Sequence, residues 1–502
     1  MKYSLIAMFL FAAMLAVSPW AFTQIQAAKV TGGEVSGILV DGISIFKGIP
    51  FAAPPVGERR WKSPQPVIPW TGIRTAEAFA PGCMQDTTMA KVMGAPDTVS
   101  EDCLYLNVWT SAKTPKERLP VIVWIYGGGF SGGMTSVPMY DGEKLARKGA
   151  VVVSVAYRVG PFGFLAHPDL SRESGKGSGN YGLEDLIAGL QWVKRNVARF
   201  GGDPSQVTIF GHSAGGMAVS MLAASPSARG LFHRAICMSG GSFAPPRFDD
   251  EAGQDVPSLK LAETLAAAFL KRLGVNEIQA ARALGAEQIR KGSAAGAWRF
   301  WPVADGHILP GDQYELYSKK RFNDTPILIG TTSDEAGTFG QTKTTPDEFE
   351  KQVRSGYGPH AEAILNAYPH ATDAEAAKAA KGLRRETTFA WHTWTWARLQ
   401  SQNGKGKAYV YFFDHHTPDS PDGAGHGTDV PYAFQTLGRG GPGGSPKAED
   451  LALSDMISSY FVNFARSGDP NGPGLPQWPA FTEKDPKYMF FDAAPSARPV
   501  PN

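Results

Sequence analysis

Residues 207–218, VTIFGHSAGGMA, set Ser213 between Gly211 and Gly215 directly after an apolar run. A serine hydroxyl is a weak nucleophile until a base takes its proton, and the G-x-S-x-G pattern presents such a serine on a sharp turn from strand to helix. The flanks suit that turn. QVTIF (206–210) reads as a buried strand, and Met217, Val219, Met221 and Leu222 read as a helix ended by Ser225 and Pro226. The glycines remove Cβ atoms that would clash, and the helix N-terminus favours developing negative charge. Upstream, WIYGGGFSGG (124–133) follows another apolar run. Its adjacent glycines let amides turn inward, so Gly128, Gly129 and Ala214 are the expected oxyanion hole. No Gly-Lys-[Ser/Thr] follows, which sets aside a phosphate-binding loop.

Which histidine serves the serine is less direct. His212 adjoins Ser213, but consecutive side chains at a strand end diverge, and no acid is evidently placed to orient its ring. Serine hydrolases of α/β architecture run in the order serine, acid, histidine, with the last two on loops after later strands. Two loops qualify: TTSDEAGTFG (331–340), with Asp334 and Glu335, and DHHTPDSPDGAGHGTDVPYAF (414–434), with His415, His416 and His426.

The rest of the chain supplies elements to hold these loops. PVIVWIY (120–126), AVVVSVAY (150–157), RAICMS (234–239), PILIG (326–330) and AYVYFF (408–413) are short continuous apolar runs, as expected for strands buried on both faces. Leu186, Ile187, Leu190, Val193, Val197 and Phe200 mark an amphipathic helix ended by GGDP, and Leu453, Ile457, Tyr460 and Phe464 mark another ended by SGDP. The alternation predicts an α/β fold with a mostly parallel sheet and helices on both faces. Polar, Ala-rich helical segments at about 249–298 and 345–388 are expected to cap the site.

A net charge of +2 carries no footprint for nucleic acid. The N-terminus has an early lysine and an apolar run from about Leu5 to Val17 before Pro19. This has the form of a signal peptide, with cuts after Thr23, Ala27 or Ala28 all compatible; a boundary at 27 leaves 28–502 as one domain and an exported, periplasmic or secreted protein. A retained membrane anchor is the alternative, but the run falls short of the roughly 20 residues a spanning helix needs. Outside the cytoplasm a disulfide persists, and Cys83 is expected to pair with Cys103, leaving Cys237 as a buried thiol.

From about Val30 to Ala494 the chain resembles the type-B carboxylesterase/cholinesterase-like family, which has the α/β-hydrolase fold. The carriers are GIPFAAPPVGERRWKSPQP (48–66), SEDCLYLNVW (100–109), the GGGF loop, NYGLEDLIAGLQWVKRNVARFGGDP (180–204), GHSAGG, SDEAGTF and HGTDVPYAF. The resemblance implies a carboxylic ester hydrolase with Ser213 as nucleophile, Glu335 as acid and His426 as base, and it implies no cofactor or metal. It further implies Ser239 as a neighbour of the triad, the Cys83–Cys103 bridge, and structural ion pairs Arg60–Glu101 and Arg158–Asp185. His415 and His416 are expected in a solvated loop, and His167, His233, His307, His360, His370 and His392 carry no motif.

The substrate is expected to be a small ester. The family's choline-selective members hold a quaternary ammonium on a tryptophan in the first disulfide loop, and residues 84–102 have no aromatic side chain here. The family also places an acidic residue where this chain has His212, so neutral or carboxylate-bearing esters are the expected class. GGGFSGGMTSVPMYDG (127–142) and GFLAHPDLSRES (163–174) are similar to bacterial esterases acting on fumonisins. Phe130, Phe243 and Phe339 are expected to line the cleft. Two other readings share the scaffold, an amidase and a non-catalytic binding module, and no stable membrane attachment is expected after signal cleavage. Steady-state turnover separates the two histidines: His426→Ala is expected to cost about a thousandfold or more and His212→Ala far less, and the reverse order would reassign the base.

Overall fold

In the computed structural model, residues 24–244, 256–294, 300–339, 343–418, 420–421, 423–439 and 445–500 are described. Residues 1–23 of the expected signal segment 1–27 lie outside them, as do parts of the first cap excursion.

Eleven strands form one sheet among the described residues. In chain order they are β1 (Ile38–Val40), β2 (Ile43–Pro50), β3 (Tyr105–Thr110), β4 (Leu119–Ile125), β5 (Val151–Val155) and β6 (Gly202–His212), followed by β7 (Arg234–Met238), β8 (Ile327–Thr332), β9 (Ala408–Phe413), β10 (Lys487–Phe491) and β11 (Ser496–Pro499). Across the sheet the order is β11-β10-β9-β8-β7-β6-β4-β5-β3-β2-β1. From β10 to β5 every pairing is parallel, and the two margins are antiparallel. This is the α/β-hydrolase fold. The central apolar runs are strands as expected: all of β5 and all of β8 are buried, because neither face of the sheet is left to water. The margins lacked continuous apolar runs and so were not legible as strands.

Helix α1 (Tyr181–Asn196) and, near the C-terminus, the long helix Ala448–Ser467 supply the expected amphipathic faces, whereas α2 (Ala214–Ala224), the helix after Ser213, is buried almost throughout. Close packing of α1 on the sheet requires Gly189, where a Cβ would stand 2.6 Å from a Val155 methyl. The second cap excursion contains α3 (Pro346–Tyr357), α4 (Ala361–Ala367) and α5 (Asp373–Arg385), and these three pack on a small core of their own around Phe349, Val353, Leu365 and Ala376. α5 runs through a π-helical turn, Glu386–Ala390, into α6 (Trp391–Asn403).

Cys83 is bonded to Cys103, and Cys237 is buried, which pushes its thiol pKa up and leaves it inert. Arg60 pairs with Glu101 at 2.6 Å and also donates to the Arg282 and Leu284 carbonyls, so it ties the N-terminal region to the first cap excursion. Arg158 and Asp185 are both fully buried and form a forked pair at 2.8 Å. Removing one member strands a charge in the core. Asp185→Ala is therefore expected to lose about 3–5 kcal/mol in urea unfolding, whereas a loss under about 1 kcal/mol would show that the arginine finds other partners.

Candidate active site

β6 ends at His212, and Ser213 turns the chain with φ 56° and ψ −126° before α2 begins. A side chain in that conformation is strained by about 1–3 kcal/mol and persists only where neighbours enforce it. Here the Ser213 N–H donates to the Met238 carbonyl of β7 at 2.9 Å, and the Ser213 carbonyl accepts from Met217 N–H at 2.8 Å. The flanking glycines permit the contact distances. A Cβ on Gly211 would stand 2.8 Å from the Gly216 nitrogen, and one on Gly215 would stand 2.7 Å from the Tyr126 carbonyl oxygen.

The glycine loop lies against this turn, since a Cβ on Gly127 would be 2.5 Å from the His212 carbonyl oxygen and 2.9 Å from Ser213 Cβ. Gly128 and Gly129 follow at φ 122° and 61°. Two buried tyrosines hold the loop's root: Tyr126 and Tyr157 stack at 4.6 Å, and each hydroxyl donates to the other's carbonyl. Gln85 holds its far end by a two-way bond to Gly133, at 2.7 Å in each direction. Gln85 sits two residues past Cys83, so the disulfide loop supports the glycine loop; no motif had singled it out.

Glu335 and His426 lie side by side. The Glu335 carboxylate is fully buried, with Oε2 2.5 Å from His426 Nδ1 and Oε1 accepting from the Thr332 N–H at 2.8 Å. The loops bearing them are joined by backbone: Asp334 N–H donates to the Ala424 carbonyl, and Ala424 N–H donates to Ser333 Oγ. Rings enclose the imidazole of His426. Phe389, from the π-helical turn, lies 4.6 Å away, Phe339 lies 5.3 Å away, and His212 lies 4.6 Å away. Phe389 carries no sequence signal, because its position depends on the register of that one turn.

His212 has no such acid. Its buried Nε2 makes no hydrogen bond, and its ring edge lies against Gly427, where a Cβ would stand 2.9 Å from Cε1. Burial, with His426 adding, holds its pKa well below the usual histidine range, so it is neutral near pH 7. Ser239 is fully buried just beyond β7, its N–H donating to the Gly330 carbonyl and its Oγ without a hydrogen-bond partner.

Two expectations need correcting. Of the three phenylalanines assigned to the cleft, only Phe339 is exposed, at 53%. Phe130 is fully buried between Phe164 and Trp301, and Phe243 packs on Tyr317 and Trp396; both rings turn into the core because apolar partners surround them there. His415 is not solvated: it is buried, with Nε2 2.6 Å from Asp450 Oδ1, while His416 stays exposed. Among the described residues no cluster of three or more His, Cys, Asp or Glu side chains suits a metal ion.

Three residues past His426, Asp429 is buried, accepts the Tyr411 hydroxyl at 2.7 Å on Oδ2, and has no hydrogen-bond partner on Oδ1. Burial pushes its carboxyl up to about 7, against the Tyr411 hydrogen bond and with the Glu335 carboxylate adding. A carboxyl whose folded pKa exceeds its unfolded value stabilises the fold below about pH 4 and loses that contribution as pH rises through about 7. Asp429→Asn is expected to gain stability over wild type across that window, by at most on the order of 4 kcal/mol. Urea unfolding at the acid and alkaline ends checks it, and a constant difference between the two proteins would contradict it.

A model of the carboxylesterase family matches residues 22–500. The chain is 36% identical over 488 residues to a fumonisin B1 esterase of Sphingopyxis macrogoltabida, covering 91% of this chain and 85% of that one. It is 34% identical over 494 residues to a para-nitrobenzyl esterase of Bacillus subtilis, covering 93% and 95%. Among solved structures, a PNB esterase superposes with a TM-score of 0.83 at 32% identity, covering 95% of this chain and 98% of that one. A carboxylesterase of Geobacillus stearothermophilus superposes at 0.81 and 31% identity with the same coverage.

Proposed function

The chain belongs to the carboxylesterase family and is a carboxylic ester hydrolase, and we propose that Ser213, His426 and Glu335 carry the reaction through an acyl-enzyme on neutral or carboxylate-bearing esters. The observation that carries this reading is the buried Glu335–His426 pair beside the strained Ser213 turn. Ser213 Oγ attacks the ester carbonyl as His426 takes its proton, and Glu335 orients and stabilises the imidazolium. The Gly128, Gly129 and Ala214 amides receive the oxyanion. The alcohol leaves with a proton from His426, and water activated by the same imidazole then releases the acid.

Substrate charge follows from His212. A neutral, buried imidazole stands where the family places an acid, so this position offers no negative charge to attract a cationic ester or repel an anionic one. The absence of an aromatic side chain from residues 84–102 argues in the same direction. The similarity to a fumonisin B1 esterase makes an ester of the fumonisin kind one candidate substrate.

Export belongs to the same reading. Among the described residues no helix is long and apolar enough to cross a membrane, and the disulfide suits an oxidising compartment. Ile25 and Ala28 are buried and Ala27–Val30 pairs as a strand with Gly33–Ser36, which favours a signal cut after Thr23 over one after Ala27 or Ala28.

The test is a panel of p-nitrophenyl and matched anilide substrates of varied acyl charge, run on wild type, Ser213→Ala and His212→Glu. Wild type is expected to hydrolyse esters, to prefer them to anilides, and to be labelled on Ser213 by an organophosphate. His212→Glu is expected to shift the ranking toward cationic esters. Absence of turnover and labelling would favour a binding module, and an unchanged ranking would remove the role of His212.

A further inference from the structure

The helices α3, α4 and α5 pack on their own core rather than extending the main one. Two side chains from this unit and the turn that ends it reach the acid and base loops. Lys381 of α5 places Nζ 2.7 Å from Asp334 Oδ2, and Phe389 of the following π-helical turn lies on the His426 ring. A π-helical turn shifts register by part of a turn and recurs at functional sites.

Asp334 is well placed to pass this contact on. It precedes Glu335 directly, and its backbone bridges to Gly425, adjacent to His426. Its N–H donates to the Ala424 carbonyl at 2.8 Å, so its main chain joins the acid loop to the base loop. Its carboxylate lies over the turn at Gly337, where a Cβ would stand 2.8 Å from Asp334 Cγ. Gly337 N–H donates in turn to the Asp334 carbonyl. Lys381 therefore holds a side chain whose own backbone joins the two loops.

We propose that Lys381 is a positioning residue: by holding Asp334 it fixes the acid loop against the base loop, so that the seating of the cap helices sets the alignment of Glu335 with His426. This rests on the proposed roles of those two residues. The ion pair is partly open to solvent, with side-chain exposures of 40% and 19%, so its contribution to global stability is small. Its effect is expected in rate, because small misplacements of catalytic groups are costly to turnover.

The experiment uses the whole protein with a neutral p-nitrophenyl ester and compares wild type with Lys381→Met, Lys381→Arg, Asp334→Asn and the Lys381→Met/Asp334→Asn double variant. Lys381→Met is expected to lower kcat about five- to tenfold with KM within about twofold and with an unchanged thermal midpoint. Lys381→Arg should restore kcat to within about twofold of wild type, and the double variant should lose no more than the worse single one. Raising salt from about 0.05 M to about 1 M should lower wild-type kcat toward that of Lys381→Met while leaving the variant nearly unchanged. An unaltered kcat in Lys381→Met, or losses that multiply in the double variant, would overturn the proposal. A wild type that turns over no ester and leaves Ser213 unlabelled would instead remove the hydrolase reading on which it rests.

Discussion

The backbone of Ser213 is held where a side chain rarely sits, and the surrounding fold is arranged to keep it there. Strand β6 delivers the residue from inside a run of seven parallel strands, paired to β4 on one side and β7 on the other. The pairing of His212 with Met238, and the Ser213 N–H bond to the Met238 carbonyl, leave the turn no room to relax. Strain of this kind survives because the sheet around it is buried and rigid.

Parallel strands share a direction, so the loops at their carboxyl ends share an edge. The glycine loop follows β4, the Ser213 turn follows β6, Ser239 follows β7, the acid loop follows β8 and the base loop follows β9. One edge thus receives Ser213, the glycine loop, Glu335 and His426, the groups of the proposed mechanism, from widely separated parts of the chain. The supports are equally dispersed: Gln85 from the disulfide loop grips one end of the glycine loop, the Tyr126–Tyr157 pair grips the other, and Phe389 arrives from the cap. Such distribution makes the site sensitive to packing far from Ser213.

The imidazole of His426 shows how local chemistry and packing divide the work. Glu335 fixes the Nδ1 edge through a short hydrogen bond, while Phe389, Phe339 and His212 restrict the ring from other sides. The His212 ring is buried and neutral, so it packs against the His426 ring without contributing charge. The ring of His212, adjacent to Ser213 in sequence, thereby becomes part of the wall around the His426 imidazole.

Much of this was legible in the residues alone. Continuous apolar runs marked the central strands, because a strand covered on both faces must be apolar throughout, and the glycine spacing around Ser213 announced the turn, because no other residue tolerates those contacts. Family motifs pointed to Glu335 and His426 before any distance was known. What sequence could not decide was direction. Phe130 and Phe243 turn into the core, His415 is drawn inward to Asp450, and Phe389 is turned onto His426, each according to the neighbours that tertiary packing supplies. The identity of reacting groups is written in local residue chemistry, whereas the facing of a side chain is set by contacts between segments hundreds of residues apart, and only the folded chain contains those.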